Sequence, residues 1–197
     1  KAAFYNADIA NLFTAKGEQH LADIAMNLAD YFETQNLQTQ LRLCEQHLKE
    51  VDKELRRFAT TAPGPEREAR AVLNTMPEVG PVTIDVVLSE LGDWRRFRNA
   101  KQVVSFAGLD PGYRESDGKG KRLKITKEGS RLLRWAMIET AWRLVGKYAR
   151  WRHIFETLKK NTGSKKKAIV GVARRVLCVM FAMLRDGKAY QPAALAA

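Results

Sequence analysis

The first part of the fold is decided by residues 37–65, which read LQTQLRLCEQHLKEVDKELRRFATTAPGP. Apolar side chains recur there at alternating spacings of four and three residues, at Leu37, Leu41, Cys44, Leu48, Val51, Leu55 and Phe58. Such a heptad seam is typical of a helix that packs against another helix. A helix with one apolar stripe cannot bury that stripe alone. We therefore expect it to self-associate or to fold back on an apolar run formed by Leu21, Ile24, Leu28 and Tyr31.

The segment Thr60–Pro65 ends this helix. Two prolines flank Gly64, and proline lacks the backbone N–H group and clashes with the preceding helical turn. The sequence therefore predicts a helical coiled-coil segment over residues 1–60, a linker over 61–66, a compact domain over 67–190 and a tail over 191–197.

Beyond the linker, the apolar periodicity is helical. It predicts helices at about 66–75, 82–91, 99–107, 127–147, 149–160 and 165–186. Asn99 and Thr126 are the predicted N-caps of two of them. Alternating patterns typical of β-strands are almost absent. We therefore predict a mainly α protein, in which a helical arm precedes a compact helical domain.

The positive charge of the chain is unevenly placed. The formal net charge is +12, to which residues 1–60 contribute −2 and residues 61–197 contribute +14. A positive field attracts polyanions, and the release of counterions from phosphates makes nucleic acid the first candidate partner. The alternative is a basic but inert surface that serves solubility.

Two classes of protein are not expected. No apolar run approaches the roughly 18 residues that cross a bilayer, and the start Lys1-Ala2-Ala3-Phe4 lacks the apolar core of a signal peptide, so we expect a cytoplasmic protein with no membrane partner. Cys44 and Cys178 lie far apart with no His or Cys at ligand spacing, so we expect neither a disulfide framework nor a metal site.

The first segment with chemical interest is Leu73–Thr83, where a tight turn joins two short helices. It resembles a helix-hairpin-helix motif, in which amide groups at the start of the second helix donate to a phosphate. Gly80 fits that role. Glu78 stands where the motif usually has its first glycine, and its carboxylate would repel a phosphate. Non-specific binding of a DNA backbone and a purely structural turn are the two interpretations.

The second segment is a long glycine-rich loop over residues 106–120 with the basic run that follows it. Residues 119–134 carry seven basic side chains and one acidic one. Ser116 combines a hydroxyl nucleophile with neighbouring glycines and cations, as phosphoryl chemistry on DNA requires. On its own, a Ser-Asp-Gly triplet is usually only a turn. The candidate DNA contacts in this segment are Arg114, Lys119, Lys121, Arg122, Lys124, Lys127 and Arg131.

The third segment is residues 159–175, with seven basic side chains and no acidic one. Lysines act as point charges, so this run is expected to track phosphates rather than read bases. Its candidate DNA contacts are Lys165, Lys166 and Lys167, and the alternative is a solvated helix end. The aromatic residues Trp135, Trp142, Trp151 and Phe155 fall at helical spacings, which predicts that they lie in the core.

Several runs occur in a fixed order: Met76–Pro81, Phe106–Pro111, Ser116, Ile125–Gly129 and Leu132–Trp135. In this order they resemble the C-terminal transposase domain of the insertion-sequence-110 family, whose relatives include the Piv DNA invertases. The resemblance covers roughly residues 70–190. It implies that Ser116 corresponds to the family's serine, which attacks a DNA phosphodiester and becomes joined covalently to the strand end.

The resemblance also implies parts beyond residues 1–197. Members of this family carry a RuvC-like domain with acidic metal ligands before a coiled-coil segment like residues 18–58. We therefore expect part of a longer bacterial or archaeal enzyme, found with the nucleoid and inactive as an isolated fragment. We expect no cofactor in this chain, and Mg²⁺ on the RuvC-like domain. The implied partners are DNA, a structured guide RNA as in some relatives, and further copies of the chain.

Two other functional classes stay open. A non-catalytic helix-hairpin-helix module of a DNA-repair or junction-binding protein would bind DNA without a covalent adduct. A coiled-coil assembly protein with an incidental basic face would show no salt-dependent binding of DNA.

Overall fold

The computed structural model describes residues 14–116 and 119–192, and for residues 111–116 and 119–124 it describes the backbone alone. The chain divides into two compact units, Lys1–Phe58 and Ala59–Ala197. Within the described part, no helix combines the length and the apolar character needed to cross a bilayer.

The first unit contains helix α1 (Ala15–Asp23) and most of helix α2 (Leu28–Thr61). Helix α1 lies beside the N-terminal part of α2, where Glu18 and Arg42 approach to 3.8 Å. Leu41 is accordingly half-buried. Further along α2, Leu48 and Val51 are 65% and 56% exposed, and α2 contains no buried residue. Of the seven seam residues, only Leu41 is therefore partly covered.

The second unit holds the remaining elements. They are α3 (Gly64–Asn74), α4 (Pro81–Leu91), a 3-10 turn (Trp94–Arg96), α5 (Ala100–Phe106), β1 (Pro111–Ser116), β2 (Lys119–Ile125), α6 (Arg131–Lys147), α7 (Ala149–Thr162) and α8 (Lys165–Asp186). The prediction of a mainly α fold is confirmed. Pro63 and Pro65 mark both the end of α2 and the first turn of α3, so α3 begins two residues earlier than predicted. Proline is tolerated there because first-turn N–H groups have no helical partner.

Helix α8 is the centre of this unit. It packs against α3, α5, α6, α7 and the 3-10 turn. Because neighbours surround it, apolar residues cover most of its circumference, including the buried Val172, Leu177 and Phe181. Ser164 caps its start by accepting a hydrogen bond from the N–H of Lys167, and Gly187 ends it in the left-handed conformation. Any insertion into the surface of α8 would therefore disturb several packed neighbours at once.

Two sequence-based predictions are wrong around the strands. The segment predicted as a loop over residues 106–120 contains β1, which pairs with β2 in an antiparallel hairpin. The hairpin was not predicted because its strands are mostly polar and show no apolar alternation. Thr126 is not an N-cap: α6 begins at Arg131 and Ser130 caps it, accepting from the N–H of Leu133 at 2.9 Å.

The prediction that four aromatic residues lie in the core is correct on α7 and wrong on α6. Trp151 and Phe155 on α7 are buried, as predicted. Trp135 and Trp142 on α6 are 49% and 45% exposed, so their assignment to the core is wrong. Helical spacing gives the angle between side chains but does not tell which face of α6 its neighbours cover.

Candidate functional site

The hairpin of β1 and β2 carries the candidate nucleophile. Ser116 is the last residue of β1 and stands in register with Lys119 on β2. Strands rise about 3.3 Å per residue, so Ser116 lies about 16 Å along β1 from Pro111. Ser116 is therefore held at the opposite end of β1 from the helices, although its side chain lies outside the described residues.

The same hairpin brings together most of the predicted basic contacts. Arg114 is in register with Lys121, and Arg122 with Tyr113. Lys119 and Lys124 belong to β2 as well. Adjacent strands lie about 4.8 Å apart, so the backbone concentrates these five basic positions within one small element. Their side chains, like that of Ser116, are outside the described part of the chain.

Two short segments cross at the base of this hairpin, residues 106–110 before β1 and residues 126–130 after β2. We call them the hairpin clamp. Three backbone hydrogen bonds join them: the N–H groups of Thr126, Lys127 and Ser130 donate to the carbonyl oxygens of Asp110, Gly108 and Phe106 at 3.0, 3.2 and 3.3 Å. The hairpin therefore emerges from a fixed backbone frame.

Two glycines allow the segments to cross so closely. Gly108 has φ 63° and Gly129 has φ 142°, both in the region that favours glycine. A Cβ on Gly129 would lie 2.1 Å from the carbonyl oxygen of Phe106. A Cβ on Gly108 would lie 2.7 Å from the Arg134 guanidinium and 2.9 Å from the backbone of Lys127. The glycines in these two sequence runs thus serve the hairpin clamp.

Two arginines tie the hairpin clamp to the helical core. Arg134 on α6 donates from Nη1 to the carbonyl oxygen of Ala107 at 2.8 Å. Arg174 on α8 pairs through Nη2 with Oδ1 of Asp110 at 3.2 Å. Charge-assisted hydrogen bonds are stronger than neutral ones, so both contacts resist movement of the hairpin base.

These supporting residues were not evident from the sequence. Arg174 belongs to the basic run of residues 159–175, but its charge is paired with Asp110. The need of Arg174 for a partner could have been inferred from its position, next to Ala173 and two residues before Val176, which are both buried. A long charged side chain within an apolar pattern needs a partner.

The thiol of Cys178 lies near this ion pair. Burial raises the pKa of Cys178, with the Arg174 charge lowering it and the Asp110 carboxylate raising it. The thiol therefore stays protonated at neutral pH, and it adds no charge beside the ion pair.

The turn between α3 and α4 has an unusual backbone at Glu78. Its φ of 63° lies in the left-handed region, which the first glycine of a helix-hairpin-helix turn would adopt freely. Its carboxylate pairs with Nζ of Lys147 on α6 at 3.0 Å. Gly80 is the N-cap of α4 and has φ −88°, and a Cβ added there would meet no atom within 4 Å. The helix-hairpin-helix assignment of this turn stays a prediction.

The remaining predicted contacts lie on exposed surface. Lys127 follows β2 in the left-handed conformation, and Arg131 opens α6. Lys165, Lys166 and Lys167 form the first turn of α8 and are exposed. Cations at a helix N-terminus oppose the helix dipole by a few tenths of a kcal/mol each, which a bound anion would relieve. Lys167 precedes Arg174 by two helical turns, about 10 Å, and therefore shares its face of α8.

Comparison with known proteins places the hairpin and its clamp within one family. The model of the transposase IS116/IS110/IS902 family matches residues 70–156. Residues 70–156 belong to that family. The match includes α4, α5, both strands, α6 and half of α7, but it does not include the lysines at the start of α8.

Individual relatives agree with this assignment. The pilin gene-inverting protein of Moraxella bovis is 29% identical over 129 residues, which is 64% of this chain and 40% of that protein. The 43.6 kDa protein of insertion element IS110 from Streptomyces coelicolor is 32% identical over 120 residues, 61% of this chain and 30% of its own length. The 44.8 kDa protein of insertion element IS116 from Streptomyces clavuligerus is 27% identical over 158 residues, 80% of this chain and 38% of its own length. The chain thus spans 30% to 40% of these relatives.

The hairpin clamp predicts a clear difference between two glycine substitutions. Gly129→Ala forces a methyl group against the Phe106 carbonyl at an unfavourable φ, so we expect it to lower the free energy of unfolding by about 2 kcal/mol or more. Gly146→Ala is the control, because Gly146 lies inside α6 with no atom within 4 Å of the added carbon. It should raise stability by up to about 1 kcal/mol. Urea denaturation followed by circular dichroism measures both, and equal stabilities would contradict the close crossing.

Proposed function

We propose that this chain is part of a DNA transposase or site-specific recombinase in which Ser116 is the nucleophile. The observation that carries the proposal is the position of Ser116 at the end of a clamped hairpin with basic residues on both strands. The hairpin also lies inside the transposase family match. A hairpin whose foot is held in place and whose strands concentrate positive charge is suited to positioning a DNA phosphate.

The proposed step is a phosphoryl transfer. The Oγ of Ser116 forms a bond to phosphorus, and the bond from phosphorus to one strand oxygen breaks. The Ser116 proton leaves Oγ, and the released strand end takes up a proton to become a hydroxyl. The protein is then joined to the other strand end through a phosphodiester, which conserves the bond energy for rejoining.

The cations of the hairpin would stabilise charge but would not remove the serine proton. A serine hydroxyl is nearly all protonated at neutral pH, so attack needs a base or a metal. We propose that Mg²⁺ on a RuvC-like domain outside this sequence would lower the cost of that deprotonation. The lengths of the relatives support the proposal, since this chain spans only 30% to 40% of them.

The proposal requires that the chain bind DNA, and the basic surface supports this. Residues 61–197 hold a net charge of +14, and the lysines at the start of α8 are exposed. The same positive charge would also attract the phosphates of a structured RNA. The guide RNA implied by the family resemblance is therefore a second proposed partner.

A non-catalytic DNA-binding module is the second candidate function. The observation that favours it is the left-handed Glu78 in the turn before α4, together with its neutralising pair to Lys147. Such a module would bind a DNA backbone at the start of α4 and form no covalent bond to DNA.

The aggregate charge predicts a steep salt dependence. We expect the affinity of the 197-residue chain for a duplex DNA of arbitrary sequence to fall as salt rises, because each phosphate contact releases counterions. Changing Lys165, Lys166 and Lys167 together to Ala should weaken binding several-fold and flatten the slope. The matched control changes Lys49, Lys53 and Arg56 on α2, which removes equal charge elsewhere. Fluorescence anisotropy over a salt series measures this, and a flat wild-type response would remove the electrostatic basis of the proposal.

The nucleophile assignment predicts the loss of a covalent adduct. In a full-length enzyme, Ser116→Ala should abolish the protein–DNA adduct and leave DNA affinity within a few-fold, because the change removes a hydroxyl and no charge. Ser105→Ala on α5 is the control and should keep the adduct. Trapped adducts mapped by peptide mass spectrometry give the result. Attachment at Ser105, Ser130 or Tyr113, or an undiminished adduct in Ser116→Ala, would defeat the assignment.

The exposed seam of α2 supports a further part of the proposal, self-association. Helix α1 approaches α2 near Arg42, and further along Leu48, Val51, Leu55 and Phe58 are between 43% and 65% exposed. Burying one such side chain is worth roughly 1.5–3 kcal/mol. We therefore propose that copies of the chain associate through α2.

This seam predicts that one substitution dissociates the assembly. Leu48→Glu should shift the protein to monomers, because it places a carboxylate in the middle of the apolar stripe. Thr39→Glu is the control, since it adds the same charge outside the apolar stripe in the heptad pattern. Sedimentation equilibrium measures the mass of both variants. A wild-type chain that stays monomeric at high micromolar concentration would count against self-association.

A further inference from the structure

Three arginines around the 3-10 turn have no role in the site described so far. Arg95, Arg96 and Arg98 are exposed, and among the described residues no carboxylate lies within 4 Å of their guanidinium groups. Asp93 is adjacent, but its carboxylate accepts from the backbone N–H of Arg95 at 3.1 Å and so acts as a cap. The charges of this cluster thus face solvent rather than a partner in the described structure.

Aromatic rings hold two of the guanidinium groups in place. The Arg96 guanidinium carbon lies 4.7 Å from the ring centre of Phe97 and 5.0 Å from that of Phe106. The Arg95 guanidinium lies 5.7 Å from the ring centre of Trp94. Stacking uses the face of a guanidinium and leaves its N–H edge free to donate. These two side chains therefore present donors that lose little freedom on binding.

One member of the cluster, Arg96, contacts the base of the Ser116 hairpin. Phe106, which contacts the Arg96 guanidinium, is the first residue of the hairpin clamp, and its carbonyl oxygen accepts from the N–H of Ser130. The same carbonyl lies against Gly129. Arg96 is therefore fixed to the frame from which the hairpin emerges, rather than to a separate part of the surface.

We propose that Arg95, Arg96 and Arg98 form a phosphate-binding site for the DNA duplex that reaches Ser116. The proposal rests on the function proposed above and adds a second point of contact. A guanidinium edge can bind two oxygens of one phosphate, which a lysine ammonium cannot do with the same geometry. Such a contact sets the position of a strand without reading its bases.

The hairpin length indicates which phosphates this site would hold. Ser116 lies about 16 Å along β1 from the hairpin base. Successive phosphates of one B-DNA strand are about 3.4 Å apart along the helix axis. For a duplex that runs parallel to β1, the arginine cluster would contact phosphates about five nucleotides from the one at Ser116. Between these two contacts the duplex is fixed in both position and direction.

The test compares two triple variants of the 197-residue chain with equal loss of charge. One changes Arg95, Arg96 and Arg98 to Ala, and the other changes Lys49, Lys53 and Arg56 on α2 to Ala. The probe is a fluorescent DNA duplex of about 25 base pairs, with anisotropy measured between about 50 and 200 mM salt. We expect the arginine variant to lose about tenfold or more in affinity and the slope of log affinity against log salt to fall by about two to three. Equal behaviour of the two variants would overturn the site.

Two further measurements keep the result unambiguous. Arg96→Lys keeps the positive charge but replaces the planar guanidinium with an ammonium group. We therefore expect a DNA affinity between those of the wild type and Arg96→Ala. An Arg96→Lys variant with wild-type affinity would show that binding does not need the guanidinium geometry, and this would overturn that part of the proposal. The same single variant tests the site if the triple variant does not fold. An RNA hairpin is the second probe, and loss of RNA affinity with unchanged DNA affinity would overturn the choice of DNA. If the wild-type chain binds neither probe, the proposed function fails, whereas wild-type binding with an unaffected arginine variant removes this site alone.

Discussion

The second unit depends most on one close approach, that of Gly129 to the carbonyl oxygen of Phe106. Only a residue without a side chain fits there, since a Cβ would lie 2.1 Å from that oxygen. The approach brings together the backbone before β1 and the backbone after β2. It also sets the start of α6, because Ser130 donates to the same carbonyl and then caps the helix. A strand pair, a helix start and the direction of the hairpin thus share one contact.

Helix α8 supplies the second constraint, and it links the hairpin to the core. Its buried residues hold α3, α5, α6 and α7, while Arg174 on the same helix pairs with Asp110 at the hairpin base. A paired charge that is partly buried costs stability when only one partner is removed. The position of the hairpin is therefore coupled to the packing of the whole unit, and the exposed lysines of α8 share that rigid support.

Much of the architecture was predictable from the sequence, because it depends on local patterns. Apolar periodicity placed the helices of the second unit and the part of α2 from Leu37 onwards, and Asn99 accepts from the N–H of Gln102 as an N-cap should. The hairpin was not predictable in this way. Its strands are held by backbone hydrogen bonds and by a clamp formed between residues about 20 positions apart, so the local sequence carries little sign of it. For the same reason Thr126 was mistaken for a cap: the non-helical backbone of residues 126–129, with Lys127 and Gly129 at positive φ, is held by the hydrogen bonds of the hairpin clamp.

In the candidate site, too, some residues were predictable from the sequence and others depend on three-dimensional neighbours. The basic residues were evident from composition, and Ser116 from an ordered set of motifs. The supporting contacts of Arg134 and Arg174 need three-dimensional neighbours, as does the stacking of Arg96 on Phe106. The exposure of Trp135 and Trp142 likewise depends on which face of α6 is left uncovered.

The hairpin clamp has a consequence for how this fold can change during evolution. Its bonds join the two ends of the inserted hairpin and involve no residue between Pro111 and Ile125. Surface segments whose ends are held together tolerate changes of length and sequence well, because the closure entropy grows only slowly with loop length. The segment can therefore lengthen, shorten or exchange its charges while the helices beneath stay the same. A scaffold with this property can change the surface that the hairpin presents without a new core.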